Sequence, residues 1–157
     1  MREIAKNVYW VGKVDDRKVP FHRLVLEKGT SYNAYLIKDE KTALIDTVDM
    51  LFGKEFTDKM AEAMDLTTLD YIVINHTEPD HSGALGSIAR KAVNAKILCT
   101  APAVYELMEM YKIGKERFQV VTNGEEISLG EKTLVFYETP YLHTEETMVT
   151  YLKEDEV

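Results

Sequence analysis

The sequence predicts an α/β domain built around a mixed sheet. Three observations predict it. The first third of the chain carries short strand-like runs separated by turn residues. From Thr42 onward, apolar strands alternate with segments whose apolar residues recur at helical spacing. One strand, Tyr71-Ile72-Val73-Ile74-Asn75, is apolar almost throughout, as expected where both faces of a sheet are covered.

Val8 to Val11 is a short strand. Arg23 to Glu27 and Tyr32 to Lys38 are strand-like, with Gly29 turning the chain between them. Asp39-Glu40 then leads into a strand from Thr42 to Asp46. Phe52, Phe56, Met60 and Met64 form one stripe of a helix, with Lys54, Asp58 and Glu62 on its other faces. The apolar strand at 71–75 ends in a polar loop. A second helix follows, with Leu85, Ile88, Ala89 and Ala92 on one side.

Ile97 to Cys99 is another short strand. Thr100 is placed to cap a third helix, with Pro102 in its first turn and Gly114 beyond its end. Val104, Leu107, Met108 and Tyr111 make its apolar stripe. The chain then returns to β structure at Phe118–Val121, Ile127–Leu129, Thr133–Tyr137 and Thr147–Leu152, with turns at Asn123-Gly124 and Gly130. Lys153 to Glu156 reads as a closing turn.

Bulk properties narrow the function. The chain has 157 residues, one domain's worth, with 45% apolar and 29% charged residues. Its net charge of -8 repels nucleic acid and anionic membranes, and no basic block offsets that. No apolar run is long enough for a membrane span, and residues 1–6 lack the apolar stretch of a signal peptide. A cytoplasmic location is expected. The single cysteine, Cys99, lies in an apolar strand and reads as core.

The informative segment is His76-Thr77-Glu78-Pro79-Asp80-His81, directly after the buried strand. Loops at the carboxyl ends of such strands commonly carry ligands. Pro79 biases Glu78 toward extended backbone, where alternate side chains share a face. His76, Glu78 and Asp80 can then converge while His81 points elsewhere. The loop can serve two neighbouring metal ions, one by His76 and Glu78 and one by Asp80 and His81. Two imidazoles and two carboxylates this close suit a metal. The alternatives are a helix cap at Asp80, with the helix starting near Ser82-Gly83, and solvated loop residues for the others. His143, in another loop between strands, is a fifth candidate.

These residues carry a resemblance. His-x-x-x-Asp-His after an apolar strand resembles the metallo-β-lactamase superfamily. Glu78, where most of its hydrolases have a second His, makes the string Asn75 to Gly83 similar to the flavodiiron proteins. The segments Gly29–Leu36, Ala43–Thr47, Leu142-His143 and Met148–Leu152 are also family-like, so the likeness spans essentially the whole chain.

The resemblance implies the first half of an αββα sandwich over residues 1–157. The second half and a flavodoxin-like domain would be absent. The uncovered sheet face would then mark a fragment or a piece that associates with another chain. The likeness also implies a diiron centre: His76, Glu78 and His143 at one iron, Asp80 and His81 at the other. A bridging Asp and a further His would be needed from outside these residues.

His22 falls where the family has a His close to the irons without binding them, as a supporting or gating residue; an ordinary surface His is the alternative. Asp46 matches a carboxylate that buttresses the site, or else caps the loop after its strand. The implied activity is reduction of oxygen to water or nitric oxide to nitrous oxide. FMN would feed the irons, typically across a head-to-tail homodimer, with a rubredoxin-like electron donor. A zinc hydrolase of the glyoxalase II kind, a non-catalytic diiron oxygen sensor and a metal-free remnant are the competing readings. Around His143, Thr144-Glu145-Glu146 replaces a family pattern containing Trp-Pro-Asp.

Overall fold

The computed structural model describes residues 1–21 and 24–157. The chain opens with β1 (Arg2–Ala5) and β2 (Val8–Trp10), an antiparallel pair. Then come β3 (Lys13–Asp15), β4 (Val19–Phe21), β5 (Leu24–Leu26) and β6 (Thr30–Tyr32), in which β3 pairs with β6 and β4 with β5. Gly29 sits at φ 76° against this lobe, and a Cβ there would collide with the Asp15 carbonyl. Only glycine satisfies both constraints. β7 (Tyr35–Ile37) and β8 (Ala43–Ile45) follow, then α1 (Gly53–Ala63) and β9 (Tyr71–Val73).

Past the site loop come α2 (Pro79–Ser82), α3 (Leu85–Lys91), β10 (Lys96–Cys99), α4 (Ala101–Tyr111) and β11 (Phe118–Val120). The chain ends in β12 (Glu126–Ser128), β13 (Thr133–Glu138) and β14 (Met148–Leu152).

Seven strands form the main sheet, in the order β1-β2-β7-β8-β9-β10-β11. Pairing is antiparallel from β1 to β8 and parallel from β8 to β11, the mixed sheet the sequence predicts. The change of direction falls where helices begin to connect the strands, because a parallel return needs a crossover. Strand period divides the apolar residues between two cores. Leu36, Leu44, Ile72, Ile74, Ile97 and Cys99 face the helices, with Phe56, Met60, Leu85, Ile88 and Leu107 packed over them. Ile37, Ala43, Val73 and Leu98 face the other way, onto a three-stranded antiparallel sheet, β12-β13-β14, through Leu134, Phe136 and Met148.

That small sheet changes one expectation. The inner face of the main sheet is covered over Val73 and Leu98, both fully buried, rather than left bare. A half-open crevice of about 450 Å³ remains past the edge of β14, with Ile4, Tyr35, Ile45 and Val149 among its walls.

Local differences have local causes. The run from Tyr32 to Lys38 divides between β6 and β7, because Asn33 and Ala34 leave one sheet for another. Thr100 stands at the amino end of α4 without capping it; its hydroxyl donates instead to the Glu146 carbonyl at 2.8 Å. β1, β3 and β4 escape a sequence reading because they are only three or four residues long. No described helix is long and apolar enough to cross a membrane.

Candidate metal centre

Strands β8, β9 and β10 run parallel, so their carboxyl ends open on one edge of the sheet. Asp46, the loop from Asn75 and Thr100 leave the sheet there. The loop is anchored at its root. Ile74 N–H donates to the Leu98 carbonyl at 2.9 Å and Asn75 N–H to Asp46 Oδ1 at 2.8 Å. The Asn75 carbonyl accepts Met148 N–H at 3.0 Å, and its side-chain oxygen accepts the Thr150 hydroxyl at 2.6 Å. Asn75 thus ties the two sheets together directly beneath the site.

Glu78 is extended, φ -61° and ψ 151°, as the following proline favours. The helical turn α2 begins at Pro79 itself, which suits a first helical position. The extended alternation therefore holds for His76 and Glu78 and stops there. Asp80 and His81 project from a helical turn, not from an extended strand. Asp80 lies in that turn's first residues and is not its N-cap, a position Glu78 takes.

His76, Glu78 and His143 come together, with their candidate ligand atoms all within 4.8 Å of one another. His76 Nε2 is 3.2 Å from Glu78 Oε2, and His143 Nε2 is 3.6 Å from the same oxygen. Two ligand atoms about 2.1 Å from one metal stand about 3.0–3.4 Å apart at octahedral to tetrahedral angles, so the first pair fits a shared ion. His76 is 5% exposed, and its Nε2 is buried without a hydrogen-bond partner among the described residues. A buried nitrogen without a hydrogen bond is unusual, and a metal would satisfy it. His143 is largely exposed and arrives on the loop between β13 and β14, where Tyr141 adopts φ 61°.

The second pair lies alongside. His81 Nε2 is 3.6 Å from Asp80 Oδ2, and the His76 and His81 rings are 5.3 Å apart. His81 Nδ1 meets Asp46 Oδ2 at 2.9 Å. That hydrogen bond, opposed by burial and aided by the charges of Asp46, Asp80 and Glu78, raises the His81 imidazole above its ordinary range. Asp46 holds φ 54°, a left-handed conformation that costs about 1 kcal/mol for a non-glycine residue and is frequent beside functional sites. His22 lies outside the described residues.

A carboxylate that sequence reasoning missed completes the surroundings. Glu146 is 4% exposed, with Oε1 2.6 Å from His76 Nδ1 and 3.2 Å from Thr77 N. Burial works to raise its carboxyl. Hydrogen bonds from Thr144, its own N–H, Thr77 N–H and His76 outweigh that and hold it at about 2. The available signal was position: a carboxylate three residues after a candidate ligand histidine, just before a strand. Cys99, by contrast, is a core thiol pushed up to about 12 by burial.

Layers of helix, mixed sheet and second sheet, with a His/Glu cluster over the carboxyl ends of the parallel strands, define a metallo-β-lactamase-like domain. A family model described as the ODP family beta lactamase matches residues 30–157, and the chain belongs to that family.

The anaerobic nitric oxide reductase flavorubredoxin of Vibrio vulnificus is 43% identical over 98% of this chain and 32% of its own length. The crystal structure of the flavodiiron protein from Giardia intestinalis aligns with a TM-score of 0.92 at 34% identity. The match covers 98% of this chain and 38% of that one. Rubredoxin oxygen:oxidoreductase from Desulfovibrio gigas gives a TM-score of 0.89 at 36% identity, over 98% and 38% of the two chains. The likeness to flavodiiron proteins read from the loop at 75–83 is borne out by these matches. The chain spans roughly a third of the length of the curated relatives it matches.

Proposed function

We propose that this chain supplies part of a non-haem diiron centre of an oxidoreductase that reduces nitric oxide or oxygen. The observation that carries the reading is the buried Nε2 of His76, which faces Glu78 and His143 and has no hydrogen-bond partner among the described residues. His76, Glu78 and His143 would hold one iron, and Asp80 and His81 would serve the other. The names of the relatives support the redox reading over a hydrolytic one. So does the donor set: a carboxylate at Glu78 is a harder ligand than imidazole and suits iron that changes charge.

Bound iron would supply the electrons that reduce the gas, with FMN from a flavodoxin-like domain or partner subunit restoring them. The residues of this chain do the positioning. Asp46 orients His81 through its 2.9 Å contact. Asn75 fixes the loop against both sheets. The exposed side of His143 leaves the cluster open to a small gas and to an electron donor. A rubredoxin-like donor, a head-to-tail homodimer and a cytoplasmic setting complete the proposal.

Metal analysis of protein purified without added metal tests it. The reading expects iron, lost when His76 is replaced by Ala. A zinc-only preparation would favour a hydrolase of the same superfamily and contradict the proposal.

A further inference from the structure

We propose that Glu146 is the positioning residue for His76, holding its imidazole as the Nδ1–H tautomer so that the Nε2 lone pair is aimed at Glu78 and His143. The inference rests on the metal reading above and adds a residue outside the ligand set.

The ring of His76 has two nitrogens in different company. Nδ1 lies 2.6 Å from Glu146 Oε1 and 3.2 Å from Thr144 Oγ1. Nε2 lies 3.2 Å from Glu78 Oε2 and has no hydrogen-bond partner among the described residues. A neutral imidazole carries one proton, and only a proton on Nδ1 leaves Nε2 free to bind a metal. Glu146 enforces that choice. Its Oε1 already accepts the N–H of Thr77 at 3.2 Å, and a backbone N–H can only donate.

The hydroxyl of Thr77 has a single proton and two carboxylates within reach, Glu106 Oε2 at 2.6 Å and Glu146 Oε1 at 3.0 Å. Given to the shorter contact, that proton goes to Glu106. The short contact from Glu146 to His76 is then served by Nδ1–H. The carboxylate is itself fixed, buried and tethered through its carbonyl by the Thr100 hydroxyl at 2.8 Å. A buried carboxylate on the far nitrogen of a ligand histidine sets the ring's orientation and raises its basicity.

Nitrogen-15 shifts of the imidazole in the metal-free 157-residue chain read the tautomer without any metal. The expected result is a protonated Nδ1 and an unprotonated Nε2 on His76; a proton on Nε2 would overturn the inference. Ferrous iron binding, measured by competition with a chromophoric chelator, gives a second readout. Glu146→Gln should weaken it by about 10–100-fold, while Glu145→Gln on the exposed neighbour leaves it unchanged. A Glu146→Gln chain with wild-type affinity and wild-type tautomer would also overturn it. If the unmodified chain takes up no iron, the metal reading fails and the tautomer alone decides the role of Glu146. The same measurement decides if Glu146→Gln does not fold.

Discussion

Asn75 joins the two sheets beneath the candidate centre, so replacing it with Ala should cost stability that can be worked out bond by bond. The Ala variant keeps both backbone bonds, Asn75 N–H to Asp46 and Met148 N–H to the Asn75 carbonyl. It loses the 2.6 Å bond from the Thr150 hydroxyl and the 3.3 Å bond from its own amide to Asp46 Oδ2. The first is a neutral bond worth about 1 kcal/mol; the second is charge-assisted but long, at about 1.5 kcal/mol. The sum is about 2.5 kcal/mol, or roughly 5–10 °C in melting temperature for a domain of this size.

Urea unfolding followed by circular dichroism measures the loss, with an unchanged denaturant slope showing that the same structure unfolds. Asn75→Asp should lose more at neutral pH, because a second carboxylate would stand against Asp46. A loss under about 0.5 kcal/mol for Asn75→Ala would refute the tie between the sheets.

Phe136→Ala empties the core between the two sheets, where Phe136 is fully buried, and should cost about 3–5 kcal/mol in the same assay. Asp15 is gripped by Arg17 through contacts of 2.7 and 2.8 Å, a hydrogen-bonded pairing that holds its carboxyl below the ordinary 3.8. A depressed native value gives stability that is present above 3.8 and fades as pH falls below it. Asp15→Asn should therefore be the less stable chain at pH 7, with the gap closing in acid; a gap that does not narrow would contradict the pairing. Cys99 should resist thiol reagents until the chain unfolds, since its thiolate is disfavoured by burial.

The fold was legible wherever burial imposes a period. Ile72 and Ile74 face the helices and Val73 the second sheet, which is why their run is apolar without alternation. The short pieces at Lys13–Asp15 and Val19–Phe21 carry no such signature, because three residues are too few to display a period.

At the site, the density of His76, Glu78, Asp80 and His81 was visible in the sequence, but the backbone that carries them was only half so. Pro79 both extends the residue before it and opens a helix after it, and the second effect moved Asp80 and His81 onto a turn. Glu146 escaped for a different reason. Its partner His76 is 70 residues away, and its one local signal, a place three residues after His143, does not say that the fold will bury it.

The central claim is that the cluster of His76, Glu78 and His143 holds iron. Anomalous scattering at the iron edge, from crystals of the iron-loaded chain, tests it most directly. A peak is expected at bonding distance from His76 Nε2 and a Glu78 oxygen. Iron located elsewhere on the chain, with none bound at His76 Nε2, would contradict it.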